Sequence, residues 1–367
     1  MSNVDLKTQA IVSKPKHPSK PTIHVFIAGV GAVGGTLIQQ IEALEHPRIH
    51  VHLLGLCNSK KVSWLPESLD IESELSSIAS PTNWEHIVDV LISKQLNNLV
   101  FVDATGSEVV AKQYAKLLEH GIHIATPSKR ANTFDQAYFE TLFSLNKDKV
   151  AHYKYETAVG AGLPVINTIT DLIESGDRVT RISGVVSGTM TYIFNQLQQG
   201  VPFSQVVYNA KSEGYSEPDP RDDLSGEDVA RKFLILARTC GYQLERKDIA
   251  VETLVPKGLD QLDLDDFFKE LKQFDTHWKN RNAKALVNNK RLRYTGVFEE
   301  GKIHVGIEEV QADSPIGGLK GTDNLIQIFT QRYAHSPIVI QGPGAGKEVT
   351  AAGVLSNIIE IALQILK

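Results

Sequence analysis

Residues 217–232 concentrate side chains whose chemistry suits a small polar substrate. Glu217 and Asp223 precede a helical pattern that carries Asp228 and Lys232. Residues four apart share one helical face, so Asp228 and Lys232 should lie side by side. A lysine among carboxylates fits the binding of a zwitterion and the handling of a proton. Taken alone, the stretch is more typical of a capping box with a surface ion pair.

The elements that must position these groups follow from the same segment. Pro218 and Pro220 predict a non-helical loop. Ser225 predicts the N-cap of the next helix, with Asp228 as its capping-box carboxylate. The apolar stripe that predicts packing of this helix on a core comprises Val229, Phe233, Leu236 and Cys240.

A glycine-rich turn near the N-terminus predicts a dinucleotide site. The β-branched run 23–28 breaks into G-x-G-x-x-G, and an amphipathic stretch at 36–45 and a second strand at 50–57 follow. In a βαβ unit such glycines let the backbone approach a pyrophosphate at a helix N-terminus, and this context favours a nucleotide site over a mere tight turn. The expected cofactor contacts in this turn are Gly29, Gly31, Ala32, Val33 and Gly34.

The end of the second strand bears on the choice of cofactor. An acidic residue there would bind the ribose hydroxyls of NAD, but the first acid is Glu67. Asn58, Lys60 and Lys61 stand in that position instead, and such groups can meet a 2′-phosphate. The pattern therefore favours NADP without excluding NAD; alternatively, the lysines are solvated loop charges.

Two further strand ends should face the same crevice. The buried run 98–104 leads into Thr105 and Gly106 and then into a predicted helix at about 108–120, and we expect Thr105 to contact cofactor. The run 122–125 leads through a proline turn to Lys129, which on its own is more typical of an ordinary surface lysine.

The loop after residue 152 predicts close backbone packing. Small residues dominate 157–162, so the chain passes near another element or near an ion. Its carbonyls, with Glu156, could hold a hard monovalent cation, or the loop could serve strand–helix packing alone. A second glycine-rich turn, ending at Gly346, should close on the nicotinamide half of the cofactor, and a helix over 349–366 should return to the first domain.

Composition bounds the class of protein. A chain of 367 residues predicts two or three domains, and 42% hydrophobic with 22% charged residues is typical of a globular protein. A net charge of −5 gives no reason to expect nucleic acid, and no uninterrupted apolar run approaches a membrane span. Two cysteines without metal spacing fit a reducing compartment, so we expect the cytoplasm. Residues 1–20 are expected to be a disordered tail.

Residues 244–280 predict a charged helical region, and residues 281–290 are polar. Alternating patterns at 291–298 and 302–310 predict a hairpin, and a third strand near 325–332 predicts a mixed sheet that serves as an oligomer surface. The expected fold class is α/β, with a Rossmann-type nucleotide-binding domain and an α+β catalytic domain. The predicted division assigns 21–153 and 347–367 to nucleotide binding, 165–290 to catalysis, and 154–164 with 291–346 to dimerisation.

Together these segments closely resemble homoserine dehydrogenase from about residue 23 onward. The resemblance is tightest in the turn 29–34, in 155–164, in 186–189 and in 214–232, whose E-P-D-P-x-D-D-L-x-G-x-D-V-A-R-K pattern is highly specific. The closing segment 341–346 and its helix look like the short fungal-type enzymes, with neither an ACT domain nor an aspartate kinase module expected. Departures are modest: Arg130-Ala131-Asn132, Pro343 and the long N-terminal segment.

The resemblance implies roles for matching residues. Lys232 resembles the catalytic lysine that exchanges the alcohol proton, and Lys129 a second lysine at the reacting centre. Glu217 and Asp228 resemble carboxylates that bind the substrate amino group, with Asp223 near them. The residues that resemble cofactor contacts are Thr105, Gly106, Lys129, Gly214, Glu217, Gly346 and the glycine-rich turn. Those that resemble a structural sodium site are Glu156 and the carbonyls of Val159, Ala161 and Leu163.

The implied reaction is the NAD(P)-dependent interconversion of L-aspartate 4-semialdehyde and L-homoserine by a homodimer in threonine, methionine and isoleucine biosynthesis. Two rivals remain. Aspartate-semialdehyde dehydrogenase needs a cysteine nucleophile in a polar loop, which neither Cys57 nor Cys240 provides. A catalytically silent ligand sensor on the same scaffold is the other, although the ionisable groups Lys129, Asp228 and Lys232 are all present.

Overall fold

The computed structural model describes residues 20–64, 71–77, 80–148 and 150–366. Most of the predicted tail, residues 1–19, lies outside them. Within the described residues the chain forms two sheets, each flanked by helices.

The first sheet has seven strands in the order β4-β3-β2-β1-β5-β6-β7. Strands β2, β1, β5, β6 and β7 are parallel, while β3 and β4 pair antiparallel at one edge. The strands are β1 (Thr22–Ala28), β2 (His50–Cys57), β3 (Lys61–Trp64), β4 (Ser80–Pro81), β5 (Leu99–Asp103), β6 (His123–Ala125) and β7 (Tyr153–Lys154). The helices are α1 (Ala32–Glu42), α2 (Ile71–Ser77), α3 (Trp84–Ser93), α4 (Glu108–Ala111), α5 (Tyr114–Glu119) and α6 (Gln136–Lys147).

The second sheet is mixed and has the order β13-β12-β8-β10-β11-β9. Its strands are β8 (Val179–Val185), β9 (Ala250–Val251), β10 (Lys290–Glu299), β11 (Lys302–Gln311), β12 (Asn324–Thr330) and β13 (Ile338–Gly342). The helices are α7 (Ile166–Glu174), α8 (Gly188–Gln198), α9 (Phe203–Ser212), α10 (Pro220–Leu224), α11 (Glu227–Thr239), α12 (Leu264–Leu271), α13 (Asp275–Val287) and α14 (Lys347–Ile365).

Helix α14 joins the two ends of the chain. Its buried residues pack with α1 and with β1 and β5 in one apolar cluster, as the sequence predicts. By length and composition alone α14 would qualify to cross a membrane, although no uninterrupted apolar run was apparent in the sequence. One such helix is weak evidence, because the core helix of a folded domain passes the same test.

Three local predictions were wrong. Pro220 does not exclude helix: it opens α10, where the missing N–H of proline is harmless, and Asp219 caps that helix by accepting from the Arg221 amide at 3.0 Å. Ser225 is not the N-cap of α11; Gly226 is, with φ 76°, and no capping box forms there. The predicted helix 108–120 is broken into α4 and α5.

The long helical region predicted at 244–280 begins later and ends later than expected. Its helices are α12 and α13, and α13 continues to Val287 through the stretch expected to be a polar loop. The reason is a buried polar residue: Asn282 is 7% exposed and donates to the Leu197 carbonyl at 2.8 Å. Asn282 lies beside Trp278 and Ala285 on the buried face of α13. Because Asn282 is polar, the sequence shows no apolar periodicity there.

Candidate active site

A cleft of about 930 Å³ lies between the two sheets. It is bounded on one side by the N-terminal end of α1 and on the other by α11 and the segment before it. The predicted residues that line it are Ala32, Val33, Lys129, Ala161, Gly214, Glu217, Asp223, Asp228, Lys232 and Gly346. The folded chain therefore brings together residues that are more than 300 positions apart.

Asp228 and Lys232 lie on one face of α11, as their spacing predicts. The Lys232 Nζ atom is 2.8 Å from Asp228 Oδ2 and donates to the Val186 carbonyl at 2.6 Å. Lys232 is 8% exposed, because α11 buries its stem against the core. An ammonium has three N–H donors, so two are engaged here and one remains for a ligand in the cleft.

Lys129 follows β6 and reaches the same carboxylate from the other sheet. Its Nζ atom is 3.3 Å from Asp228 Oδ1, so Asp228 bridges two ammonium groups. The surface-lysine explanation of Lys129 is therefore wrong. Burial lowers the pKa of Lys129, while the Asp228 carboxylate opposes that shift and Lys232 adds to it.

The charge state of Asp228 follows from its two partners. Burial would raise the pKa of its carboxyl, but the ammonium groups of Lys232 and Lys129 outweigh that effect and hold the pKa below its usual range. Asp228 therefore stays ionised at neutral pH. The cluster combines one carboxylate with two cations and has a net positive charge that suits an oxygen with developing negative charge.

The acidic loop is held in place from within. Asp223 accepts from the Glu217 amide at 2.8 Å through Oδ2 and from the Thr189 hydroxyl at 3.0 Å through Oδ1. Burial raises the pKa of Asp223, and these two hydrogen bonds oppose the shift. Asp223 thus fixes the loop, which leaves the Glu217 side chain exposed at the mouth of the cleft.

The glycine-rich turn has the backbone that a phosphate site requires. Gly29 has φ 91°, and a Cβ added at Gly34 would lie 1.8 Å from the Gly29 carbonyl oxygen. The position of Gly31, in contrast, is open, with nothing within 4 Å of an added Cβ. Helix α1 begins at Ala32, so its first amides face the cleft without helical partners.

Thr105 and Gly106 follow β5 but do not line the cleft. The Thr105 hydroxyl and amide both donate to Asp103 Oδ1, at 2.6 and 2.7 Å. The hydroxyl is thereby committed within the chain, and its remaining role toward a ligand is as an acceptor. The cofactor contact predicted for Thr105 stays a prediction.

Asn58 and Lys60 also lie outside the cleft lining, at the carboxyl end of β2. Asn58 Oδ1 accepts from the amides of Lys60 and Lys61, both at 2.8 Å, which makes a tight turn. Lys60 is exposed at this turn. The turn therefore presents a positive charge where the sequence predicts the adenosine end of a cofactor.

The Glu156 carboxylate caps α7 by accepting from the amides of Ile166 and Asn167 at 2.7 and 2.8 Å. Burial raises its pKa, and these donors oppose that shift. Gly160 and Ala161 follow with φ values of 79° and 53°, so the loop is tightly curved. Both alternatives for this loop remain, because the cap explains Glu156 and the curvature leaves carbonyl oxygens available.

The sequence analysis missed several cleft residues. Arg231 lines the cleft beside Lys232, and only its position next to the predicted lysine could have indicated this. Thr189, at the start of α8, lies in the segment 186–189 that carries the family resemblance, but its hydrogen bond to Asp223 was not predicted. The partners of these residues lie in separate segments, so local spacing does not reveal them.

The fold and the cleft define a two-domain protein of the Rossmann-type dehydrogenase class. Sequence-family models agree: one described as homoserine dehydrogenase, NAD binding domain, matches residues 29–156, and one described as homoserine dehydrogenase matches residues 164–359.

Among individual proteins, the chain is 38% identical to homoserine dehydrogenase of Saccharomyces cerevisiae over 94% of its own length and 99% of that protein. It is 38% identical to a bifunctional aspartokinase/homoserine dehydrogenase of Haemophilus influenzae over 93% of its length, and spans only 43% of that relative. A crystal structure of a Candida auris protein of unknown function superposes with a TM-score of 0.87, at 36% identity, over 94% of this chain and 99% of that one. The chain belongs to the homoserine dehydrogenase family.

Proposed function

We propose that this protein interconverts L-homoserine and L-aspartate 4-semialdehyde with NAD(P), within threonine, methionine and isoleucine biosynthesis. The observation that carries the proposal is the bridge of Lys129 and Lys232 through Asp228, in the same cleft as the N-terminal end of α1. A bound nicotinamide cofactor supplies or accepts the hydride. Family membership supports the reaction, and the cleft provides the groups it needs.

The chain's own residues would handle the alcohol proton. Lys232 has one N–H left after its bonds to Asp228 and the Val186 carbonyl, and this donor would stabilise and protonate the alkoxide formed on reduction. In the reverse direction the neutral amine would take the proton. Lys129, whose pKa burial lowers, pairs with the same Asp228 carboxylate and would orient the substrate carbonyl.

Recognition of the amino-acid part would use both ends of the cleft. Glu217 and Asp228 would bind the substrate ammonium, with Asp223 holding the Glu217 loop in position. The N-terminal end of α8, at Gly188 and Thr189, lines the cleft and would receive the carboxylate through its free amides.

For the cofactor we propose a preference for NADP over NAD. The support is the exposed Lys60 in the turn that Asn58 holds, together with the absence of an acidic residue at the end of β2. Replacing Lys60 by alanine should lower kcat/KM for NADP several-fold and leave that for NAD unchanged. Equal losses with both cofactors would contradict this role.

A structural sodium ion at the 156–163 loop is also proposed. In the described chain no hydrogen bond reaches the carbonyls of Val159 or Ala161, and the Leu163 carbonyl accepts one, from Val165 at 2.9 Å. With the Glu156 carboxylate these oxygens would supply the hard donors that suit a monovalent cation. Its contribution would be to hold the loop between β7 and α7, and sodium should raise Tm more than potassium does.

A homodimer through the second sheet is the proposed assembly. The sheet face opposite α11 carries a row formed by Val297, Ser183, Gln327 and Val339 across four strands. Val339 is 43% exposed, and Arg181 in the next row has a buried Nε–H without a partner among the described residues. A second copy would cover these groups. Replacing Val339 by lysine should shift the molar mass measured by light scattering from dimer to monomer.

The chemistry of aspartate-semialdehyde dehydrogenase needs a cysteine thiolate, and neither cysteine of this chain suits that role. Burial raises the pKa of Cys57 to about 12, and burial likewise raises that of Cys240 to about 12. Neither would ionise near neutrality, so neither is an effective nucleophile. The silent-sensor alternative requires a lost ionisable group, and the cleft retains both lysines and their bridging carboxylate.

The test is the initial rate of homoserine oxidation at 340 nm with NADP and with NAD, each in sodium and in potassium buffer. We expect activity with both cofactors and a higher kcat/KM with NADP. Folded protein with no activity under any of these conditions would overturn the proposed reaction and favour the ligand sensor.

A further inference from the structure

A second pocket, of about 460 Å³, lies on the far side of α8 from the cleft. It is formed by the C-terminal part of α8, the start of β10 and the loop that follows β11. No residue lines both this pocket and the active-site cleft. Its charged lining residues are Arg291, Arg293 and Lys320, and we call this group the basic pocket.

Arg293 is the unusual member of this group. It is 2% exposed, and within the described chain it forms no ion pair. Its guanidinium instead engages four of its five N–H donors with neutral carbonyls, those of Ile316 and Leu319 at 3.2 Å, Gly317 at 2.8 Å and Leu292 at 3.0 Å. A buried cation without a counter-charge is unfavourable, and burial together with Arg291 lowers the Arg293 pKa to about 10.

No acidic residue is among those that line the basic pocket, and no carboxylate in the described chain forms an ion pair with Arg291, Arg293 or Lys320. Glu308 lies opposite Arg293 in the β10–β11 register but forms no ion pair with it in the described chain. The next acid, Glu309, is 3.7 Å from Lys290. In a protein of net charge −5, three cations around one cavity are therefore a local excess of positive charge.

We propose that the basic pocket binds a small oxyanion bearing two or more negative charges. Guanidinium groups match the paired oxygens of a phosphate or carboxylate, and Arg293 has one Nη1–H beyond its bond to Leu292. The side-chain amides of Gln196 and Gln199 line the same space and would bind polar groups of the ligand. The volume is within the range of small-molecule sites.

Contacts between the loop after β11 and the first turn of α8 connect the basic pocket to the cleft. The loop that Arg293 holds continues to Thr322, whose carbonyl would lie 3.1 Å from a Cβ added at Gly188. The next carbonyl, that of Asp323, accepts from the Thr191 hydroxyl at 3.2 Å in the first turn of α8. Occupation of the pocket should therefore alter the substrate KM more than kcat, because Gly188 lies at the substrate end of the cleft.

The experiment is calorimetric titration of the NADPH-saturated protein with pyrophosphate, at constant ionic strength. Saturation with NADPH removes the cofactor's own phosphate subsites from competition. The pocket variant carries Arg291→Gln and Lys320→Gln, which leave the buried Arg293 in place. The matched control carries Lys279→Gln and Lys302→Gln, two exposed lysines outside the pocket, so both variants lose two positive charges.

We expect one pyrophosphate per chain, binding at least tenfold more weakly to the pocket variant and unchanged in the control. A parallel titration with citrate distinguishes a phosphate-selective site from one that accepts any polyvalent carboxylate. Absence of binding to the natural sequence, or equal affinity in the pocket variant, would overturn the proposal. The titration requires NADPH to bind but involves no turnover, so failure of this proposal is distinguishable from failure of the proposed reaction.

Discussion

The two walls of the cleft are built by different means. The cofactor wall, formed by the turn 29–34 and the start of α1, presents backbone amides and empty space. The substrate wall, formed by Lys129, Asp228 and Lys232, presents charged side chains from two sheets. Added atoms should disturb the cofactor wall, and removed charges should disturb the substrate wall. Mutations on the first wall should therefore change the cofactor KM, and mutations on the second should change kcat or the substrate KM.

The largest expected effect is on the substrate wall. Replacing Lys232 by alanine should lower kcat on the order of 100-fold or more, because it removes the proposed proton donor and leaves Asp228 with Lys129 alone. Steady-state rates in both directions measure this. Lys211→Ala, a charge loss outside the cleft lining, should be nearly silent. A near-normal kcat in the Lys232 variant would remove this lysine from the mechanism.

The cofactor wall can be tested by adding one methyl group at each of three nearby glycines, Gly31, Gly34 and Gly35. Gly34→Ala should both destabilise the fold and raise the cofactor KM by about tenfold or more, since its Cβ would lie 1.8 Å from a carbonyl oxygen. Gly31→Ala should keep Tm and raise only the cofactor KM, because its surroundings are open until a ligand arrives.

Gly35→Ala is the matched control, since the nearest atom would be 3.7 Å away, at ordinary contact distance. It should leave the cofactor KM unchanged and raise Tm slightly, because alanine favours a helix more than glycine does. If Gly31→Ala left the cofactor KM unchanged, the pyrophosphate would not lie against this turn, and the contrast between the two walls would lose its basis.

Glu217, a charged residue on the substrate side that is proposed to act only in binding, should affect the substrate KM, whereas Lys232 should affect kcat. Glu217→Gln should raise the homoserine KM about tenfold with little change in kcat, because an ammonium group is held equally in the ground and transition states. Glu213→Gln, a change in the same loop outside the cleft lining, serves as the control. A fall in kcat without a change in KM would assign Glu217 to the chemical step instead.

The smallest effect concerns stability on the cofactor side. Burial lowers the pKa of His123, which is 5% exposed, from 6.5 to about 4. As the pH falls below 6.5, His123 takes up a proton in the unfolded chain but not in the folded chain. The free energy of unfolding therefore decreases until the pH reaches about 4. Between pH 7.5 and 5.5 the loss should be about 1 kcal/mol.

Urea denaturation at these two pH values measures that loss. His123→Asn should remove about that much of the pH dependence, whatever its effect on stability at pH 7.5. The exposed His120→Asn should keep the full dependence. Equal slopes in the natural sequence and the His123 variant would show that this histidine titrates alike in both states.

Much of the fold was predictable because its signals are local. The glycine-rich turn lies between β1 and α1, β2 has the predicted bounds, and the hairpin of β10 and β11 differs by a residue or so at each end. Local signals failed where a distant residue decides the structure. A Cβ at Gly226 would lie 1.9 Å from the Tyr294 hydroxyl on β10, so a glycine caps α11 where Ser225 was expected.

The same distinction applies to the site. The i, i+4 spacing gave Asp228 and Lys232 their shared face, since one helix contains both. Lys129 reaches them from the other sheet, so only the family resemblance could place it there. The bond from Thr189 to Asp223 joins residues 34 apart across two helices, and no pattern in either segment indicates it.

The packing of α14 against α1 has a consequence for the order in which the protein assembles. The second sheet and its helices come from one continuous stretch, whereas the core beside α1 contains Val354, Ile358 and Ile361. During synthesis the substrate half can therefore fold while the cofactor half still lacks an inner layer. The nascent chain would have Asp228 and Lys232 in place on α11 before it could retain a nucleotide, and only packing of α14 would complete the cofactor half.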